Sequence, residues 1–356
     1  MTLPAVMRAV LLTGNGGYDC LDIRDDVPVP VPVAGEVLVR IGAAGVNNTD
    51  INTRIGWYSK AVAEATDAGA ASGLAGAKDD GWSGAAFLFP RIQGADGCGR
   101  IVAVGDGVDT ARIGERVLVE PVLRGAGRYD VRYFGSEVDG AFADYACVPT
   151  AQAHRIESTL SEAELASFPC AYSTAENILT RIGLSAGERV LVTGASGGVG
   201  SAAVQLAKYR GAEVVAMAGS EKADAVRALG ADRVVGRDAD LAALFGAEHF
   251  DAALDVVGGP QFGAILDVLK RGGRYGVSGA ISGPVVDLDL RTLYLKDLQL
   301  IGCTVLEPEV FLTLVRIIER GEIRPLIAAT YPLAEIVAAQ EAFLTKRHVG
   351  KIVLTL

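Results

Sequence analysis

Apolar and polar positions along the first 150 residues follow the period of two that half-buried strands show. Runs such as EVLVRIGAAGV (36–46), GRIVAVG (99–105) and ERVLVEPV (115–122) are set apart by Gly, Pro and Asp. From about residue 187 the rhythm changes. An apolar strand, a glycine turn and an alanine-rich helix now repeat: RVLVTGA with VGSAAVQLAKYRG, EVVAMAG with SEKADAVRALGAD, FDAALDVVGG with QFGAILDVLKRGG, then RYGVSGA and LQLIGCTV. Strands alternating with helices predict βαβ units and a parallel sheet, because each crossover helix covers one face of the sheet. The tail has helical period through EVFLTLVRIIERGEIRP and closes with the strand GKIVLTL. No helix follows that strand, so it is expected to return to the first half. Residues 59–86, rich in Ala and Gly, fit neither rhythm. A stretch of that length is either a lid over a site or a surface insertion.

Composition narrows the class. A chain of 356 residues, half of them apolar and 21% charged, is long enough for two cores and too apolar for disorder. A net charge of −10 argues against a nucleic-acid groove or an anionic membrane as the main partner. Cys20, Cys98, Cys147, Cys170 and Cys303 are odd in number and form no CxxC pair, which points to a reducing, cytoplasmic setting. No run reaches the roughly 18 apolar residues of a spanning helix.

Two glycine runs compete for a phosphate. A phosphate cradle needs free N–H groups at a helix N-terminus just after a strand. GADGCG (94–99) leads into the strand-like RIVAVG and has no helix dipole behind it. GASGGVG (194–200) lies between the strand RVLVT and the helix SAAVQLAKY, where Gly197 permits close approach and Gly200 tight helix–strand packing. The second run is therefore the dinucleotide site. The same letters also satisfy the G-x-S-x-G elbow of a serine hydrolase, with Ser196, Asp255 and His348 in chain order, although no HGGG-like oxyanion segment precedes them. Short-chain dehydrogenases are excluded, since no Tyr-x-x-x-Lys pair follows. After the next strand, Ser220 and Lys222, with Arg237 as a third group, favour a 2′-phosphate and hence NADPH; Glu221 is the counter-argument, a carboxylate for a ribose.

The order and spacing of AGVNNTDI, GADGCGRIVAVGDGV, GERV, DGAFADYACVP, GASGGVG, SEKADAVRALGAD, DVVGG and GKIVL resemble the medium-chain dehydrogenase/reductase superfamily, in particular its zinc-free quinone oxidoreductase-like branch. The resemblance spans nearly the whole chain. It implies an α/β protein: a GroES-like β-rich catalytic domain from residues 1–156 and 308–356, and a doubly wound Rossmann domain with a parallel sheet from 157–307. In the family's zinc alcohol dehydrogenases a Cys, a His and a later Cys hold the catalytic metal. Those places read Asn47, Ala95 followed by Asp96, and a region whose only thiol is Cys170. An amide and a methyl supply neither thiolate nor imidazole, so no metal is expected.

Lacking a Lewis acid, such a site is better suited to a quinone, enone or enal than to an alcohol. Candidate donors are Asn47, Thr49, Asn52 and Tyr58. The resemblance implies two active-site tyrosines in bacterial quinone oxidoreductases, of which one matches Tyr58 and the other falls on Asn52; Asn47 would contact the nicotinamide ribose. It further implies Thr174 near the nicotinamide, Gly194 and Ser196 to Gly200 (with Gly197, Gly198 and Val199) at the pyrophosphate, Ser220 and Lys222 at the 2′-phosphate, Val257 and Ser278 along the cofactor, and Lys351 at a phosphate. A homodimer through edge strands of the Rossmann sheet, around 298–305, is also implied. A zinc-type alcohol dehydrogenase and an NADPH-binding sensor without turnover stand as alternatives.

Overall fold

The computed structural model describes residues 3–77, 81–84 and 86–356. Glu36–Val46 is the longest strand, and its second half is buried on both faces because partners flank it on either side. It pairs antiparallel with Cys98–Val104 and Tyr145–Pro149, and on its far end with the tail strand Lys351–Thr355, where Ile352 faces Val46 and Thr355 faces Ala43. The closing strand thus returns to the first half as its apolar pattern predicts. Ile327–Pro332 extends this sheet on the tail side, while Arg116–Val119 and Ala153–Arg155 extend it on the other.

The second sheet has six strands, all parallel, in the spatial order Arg233–Val235, Glu213–Met217, Arg189–Val192, Phe250–Asp255, Leu269–Val277, Gln299–Gly302. Chain order reverses between Arg189–Val192 and Phe250–Asp255. A crevice opens at the carboxyl ends of the strands at such a switch point. Thr193 and Asp255 stand at its two lips.

The two halves share one core. Phe168, Leu179, Phe311 and Leu314, from helices Pro169–Arg181 and Val310–Glu319 and the residue before the first, join Val192 and Leu254 of the parallel sheet to Ala43, Cys98 and Leu118 of the other. The crevice is therefore walled by both halves. Among the described residues no helix is long and apolar enough to cross a membrane.

Gly200 is the tightest point of the glycine loop: a Cβ there would lie 2.1 Å from the Gly194 carbonyl oxygen. Gly200→Ala is expected to cost about 1–3 kcal/mol by overpacking and to displace the loop. Gly263→Ala, in helix Phe262–Val268 with open space around it, is expected to gain about 0.4–1 kcal/mol. Urea unfolding of both variants checks the contrast.

Candidate active site and nucleotide groove

A cavity of about 400 Å³ runs along the switch point. Its floor is the glycine loop: Gly194, with φ +57°, turns the chain, and helix Gly198–Tyr209 starts on Gly197 with its first N–H groups open to the groove. Gly194, Ser196, Gly197, Gly198, Val199, Gly200, Lys222 and Val257 all line it. The far wall is set by Asp255, fully buried, whose carboxylate accepts from Thr193 Oγ1 at 2.5 Å, the Tyr275 hydroxyl at 2.5 Å, and the N–H groups of Val257 and Gly258 at 2.8 and 3.1 Å. Four donors satisfy this charge without a cation and bend the 256–259 segment into the groove.

The tail supplies a wall that the spacing of motifs did not reveal. Gly350 N–H donates to the Ser196 carbonyl at 3.1 Å, tying the tail to the glycine loop. Lys346, Phe343 and His348 consequently line the groove beside Lys222 and Arg237. Lys346 Nζ donates to Asn48 Oδ1 at 3.0 Å, and the Lys222 ammonium donates to the Lys346 carbonyl. Burial, then the nearby Lys222, bring Lys346 down to about 8; burial and the lysines around it bring His348 down to about 4. Positive charge is crowded here, as at a site built for an anion.

At the positions where the family resemblance places zinc ligands, this chain holds an ion pair. Lys351, 2% exposed, donates through Nζ to Asp96 Oδ2 at 2.8 Å, Asn47 Oδ1 at 2.5 Å and the Val46 carbonyl at 3.1 Å. Asn47 Nδ2 donates to Asp96 Oδ2 at 2.8 Å and to the Gly45 carbonyl at 3.3 Å; Cys170 N–H donates to Asp96 Oδ1 at 2.5 Å. Both amide hydrogens of Asn47 and the whole ammonium of Lys351 are thereby committed inside this cluster, while Lys351's methylenes pack toward Gly198. Burial, with Asp96 adding, pushes the Cys170 thiol up, so it is no ready thiolate. This donor set does not fit a zinc ion, and among the described residues no cluster of three His, Cys, Asp or Glu side chains is arranged to hold a metal.

Tyr58 completes the site from the far side. Thr49, Asn52 and Cys170 lie near its phenol. Burial pushes Tyr58 up to about 12, outweighing the polar side chains of Thr49 and Asn52, which favour the ionised phenol. Thr49 and Asn52 reach it because helix Asn48–Ile55 starts at Asn47, where Asp50 accepts from the Asn47 N–H at 2.8 Å. Thr174 lies one turn on from Cys170 in the same helix, Pro169–Arg181.

The structure thus gathers Thr49, Asn52 and Tyr58 into one cluster, with Asn47 and Thr174 joined to it through Asp96 and Cys170. Four positions expected at the cofactor are not among the residues lining the groove: Thr174 and Lys351, which lie at the ion-pair cluster, Ser220, exposed at the start of a short 3-10 turn, and Ser278, which donates its N–H to the Asp255 carbonyl. The hydrolase arrangement is not assembled either. Asp255 is spent on Thr193 and Tyr275, and His348 Nδ1 has no hydrogen-bond partner among the described residues.

A dinucleotide groove at a Rossmann switch point, in a chain that also carries a hydroxyl-bearing cluster on its GroES-like half, defines a nicotinamide-nucleotide oxidoreductase. Comparison with known proteins identifies the family. Residues 33–158 match the alcohol dehydrogenase GroES-like domain and 198–320 the zinc-binding dehydrogenase domain. Acryloyl-coenzyme A reductase of Metallosphaera sedula is 30% identical over 98% of this chain and 100% of its own; human quinone oxidoreductase is 28% identical over 99% and 98%. A putative alcohol dehydrogenase from Sinorhizobium meliloti 1021 superposes with a TM-score of 0.89 at 46% identity, covering 99% of this chain and 97% of its own. The chain belongs to the medium-chain dehydrogenase/reductase superfamily.

Two measurements probe the cluster. Removing one partner of a buried ion pair strands the other charge, so Lys351→Met is expected to cost about 3–5 kcal/mol, and the double variant Lys351→Met/Asp96→Asn to recover part of that loss in urea unfolding. Asp50 is fully buried with Oδ1 lacking a partner among the described residues, and burial, reinforced by Asp96, pushes its carboxyl up to about 7 against an ordinary 3.8. A raised carboxyl holds its proton more tightly folded than unfolded, so stability falls as pH rises between these two values and is level above them. Asp50→Asn abolishes that fall: its advantage over wild type grows from about pH 4 to about pH 7 in unfolding midpoints.

Proposed function

We propose that the protein is an NADPH-dependent reductase of quinones or α,β-unsaturated carbonyl compounds that works without zinc, a cytoplasmic homodimer associating through the edge strand Gln299–Gly302. The observation that carries this reading is the Lys351–Asp96–Asn47 cluster in place of the metal-binding donors. The crowded cations Lys222, Lys346 and Arg237 support a 2′-phosphate, and Glu221, the carboxylate that would serve a ribose hydroxyl, pairs with Arg237 at 3.5 Å. One relative is named for acryloyl-coenzyme A and another for quinone, both conjugated acceptors.

A bound dihydronicotinamide supplies the hydride. What this chain contributes is a donor for the charge that develops on the acceptor oxygen. With the Asn47 hydrogens committed, the hydroxyl of Tyr58 is left for that task. Tyr58 stays protonated through neutral pH and so is the proton donor; Thr49 and Asn52 then stabilise the phenolate left behind. A simple ketone would place the full charge on one oxygen with only this donor. Conjugation spreads it, which suits a site of this strength.

The test is NADPH oxidation at 340 nm by chelator-treated protein with a benzoquinone, a naphthoquinone, an enone, an enal and a saturated aldehyde. Turnover of the conjugated acceptors after chelation, a preference for NADPH over NADH that Lys346→Ala removes, and a loss of about 100-fold in kcat for Tyr58→Phe are expected. Activity confined to the saturated aldehyde and abolished by chelation would overturn the reading.

A further inference from the structure

Strand Glu36–Val46 leads to Asn47 at one end and carries a different chemistry nearer its start. Arg40 stands directly opposite Arg100 of strand Cys98–Val104, and Arg100 directly opposite Arg116 of strand Arg116–Val119. On the other side of Arg40 its partner in register is Tyr145 of strand Tyr145–Pro149. Directly opposed residues of antiparallel strands share a face, so one tyrosine and three arginines form a row across four strands, about 5 Å per step.

Like charges placed this way repel. The chain has 43 acidic residues against 33 Lys and Arg, yet the row is not neutralised. Arg100 donates to the Gly114 carbonyl at 3.2 Å, and Arg116 donates to the Leu160 carbonyl at 3.1 Å and to the Ser158 carbonyl. The exposed Arg40 side chain has no hydrogen-bond or ion-pair partner among the described residues. Carboxylates at the rim are taken by other arginines: Asp144 by Arg8 at 2.8 Å, Glu115 by Arg112 at 2.8 Å, and Glu157 by Arg155. Glu162, over Gly42 where a Cβ would lie 1.9 Å from its Oε2, leaves one carboxylate beside three guanidiniums. The surface is concave on both sides of Arg100, which lines a hollow of about 360 Å³ with Arg40 and Tyr145 and another of about 600 Å³ with Arg116. Neither hollow shares a residue with the nucleotide groove.

We propose that the Arg40–Arg100–Arg116 row is a second anion site, separate from the nucleotide groove, that takes a short chain of condensed phosphates. The hollows favour a small ligand over the flat face of a protein. A line of cations favours one whose charges also lie along a line, which a single oxyanion does not offer, and guanidiniums meet phosphate oxygens in pairs. The Tyr145 hydroxyl adds a neutral donor at the end of the row.

Tripolyphosphate is titrated calorimetrically, at low salt, into wild type, Arg40→Gln/Arg100→Gln and Lys346→Ala. The arginine double variant is expected to lose about 10-fold or more in affinity, and Lys346→Ala, which removes a cation of the nucleotide groove, to lose none. Orthophosphate is expected to bind wild type at least about 10-fold more weakly than tripolyphosphate. The reverse pattern, loss in Lys346→Ala alone, would place the anion in the nucleotide groove and overturn the proposal; so would equal affinity for orthophosphate, or tighter binding of a polyglutamate peptide. In Lys346→Ala protein a nucleoside triphosphate is compared with tripolyphosphate: tighter binding would support a nucleotide as the source of the phosphates, equal or weaker binding a free polyphosphate. A second readout uses the repulsion itself. Without phosphate, Arg40→Gln is expected to raise the urea midpoint, and tripolyphosphate to raise the wild-type midpoint more than that of the variant. A midpoint lowered by Arg40→Gln in phosphate-free buffer would show that the row carries no unmet charge and would overturn the site.

Discussion

The buried ion pair between Lys351 and Asp96 is the constraint around which the site is arranged. Taking two charges out of water is costly, and the cost is met only when every remaining donor and acceptor is satisfied. Here it is met by recruiting four segments: the end of strand Glu36–Val46 through Val46 and Gly45, the start of helix Asn48–Ile55 through Asn47, the turn before Cys98–Val104 through Asp96, and the start of helix Pro169–Arg181 through the Cys170 N–H. A cross-link of that kind is what a metal gives a zinc relative. In this chain side chains provide it, and no open coordination position comes with it.

The same residue sets the relation of the tail to the cofactor loop. Lys351 begins the strand that returns to the first sheet, its stem packs toward Gly198, and Gly350 just before it bonds Ser196. The tail turn is thereby carried over the groove, which is how Lys346 comes to stand beside Lys222. Polar chemistry is split accordingly: cations crowd the tail side of the groove, while Thr49, Asn52 and Tyr58 gather outside its lining.

Much of this was legible because it rests on local requirements. A strand of period two, a glycine loop ahead of a helix, and a final strand without a helix each state their own structural need within a few residues, and GASGGVG, GADGCG and GKIVLTL lie where those needs place them. The remainder depends on contacts that no window contains. Lys351 and Asp96 are 255 positions apart, Lys346 and Asn48 are 298 apart, and Thr66 meets Asn52 only because a glycine-rich segment folds back over its own helix. Segment SEKADAVRALGAD reads as one helix but forms a 3-10 turn and the short helix Ala223–Arg227, with Lys222 buried between them.

Where the hydride lands is the most direct test of the proposal that the site reduces conjugated acceptors without a Lewis acid. Deuterium carried at C4 of NADPH is followed into the product of a simple enone by mass spectrometry and NMR. The account predicts deuterium on the β-carbon of a saturated ketone, unchanged in chelator-treated protein. Deuterium on a carbinol carbon, with the double bond intact and the reaction abolished by chelation, would contradict it.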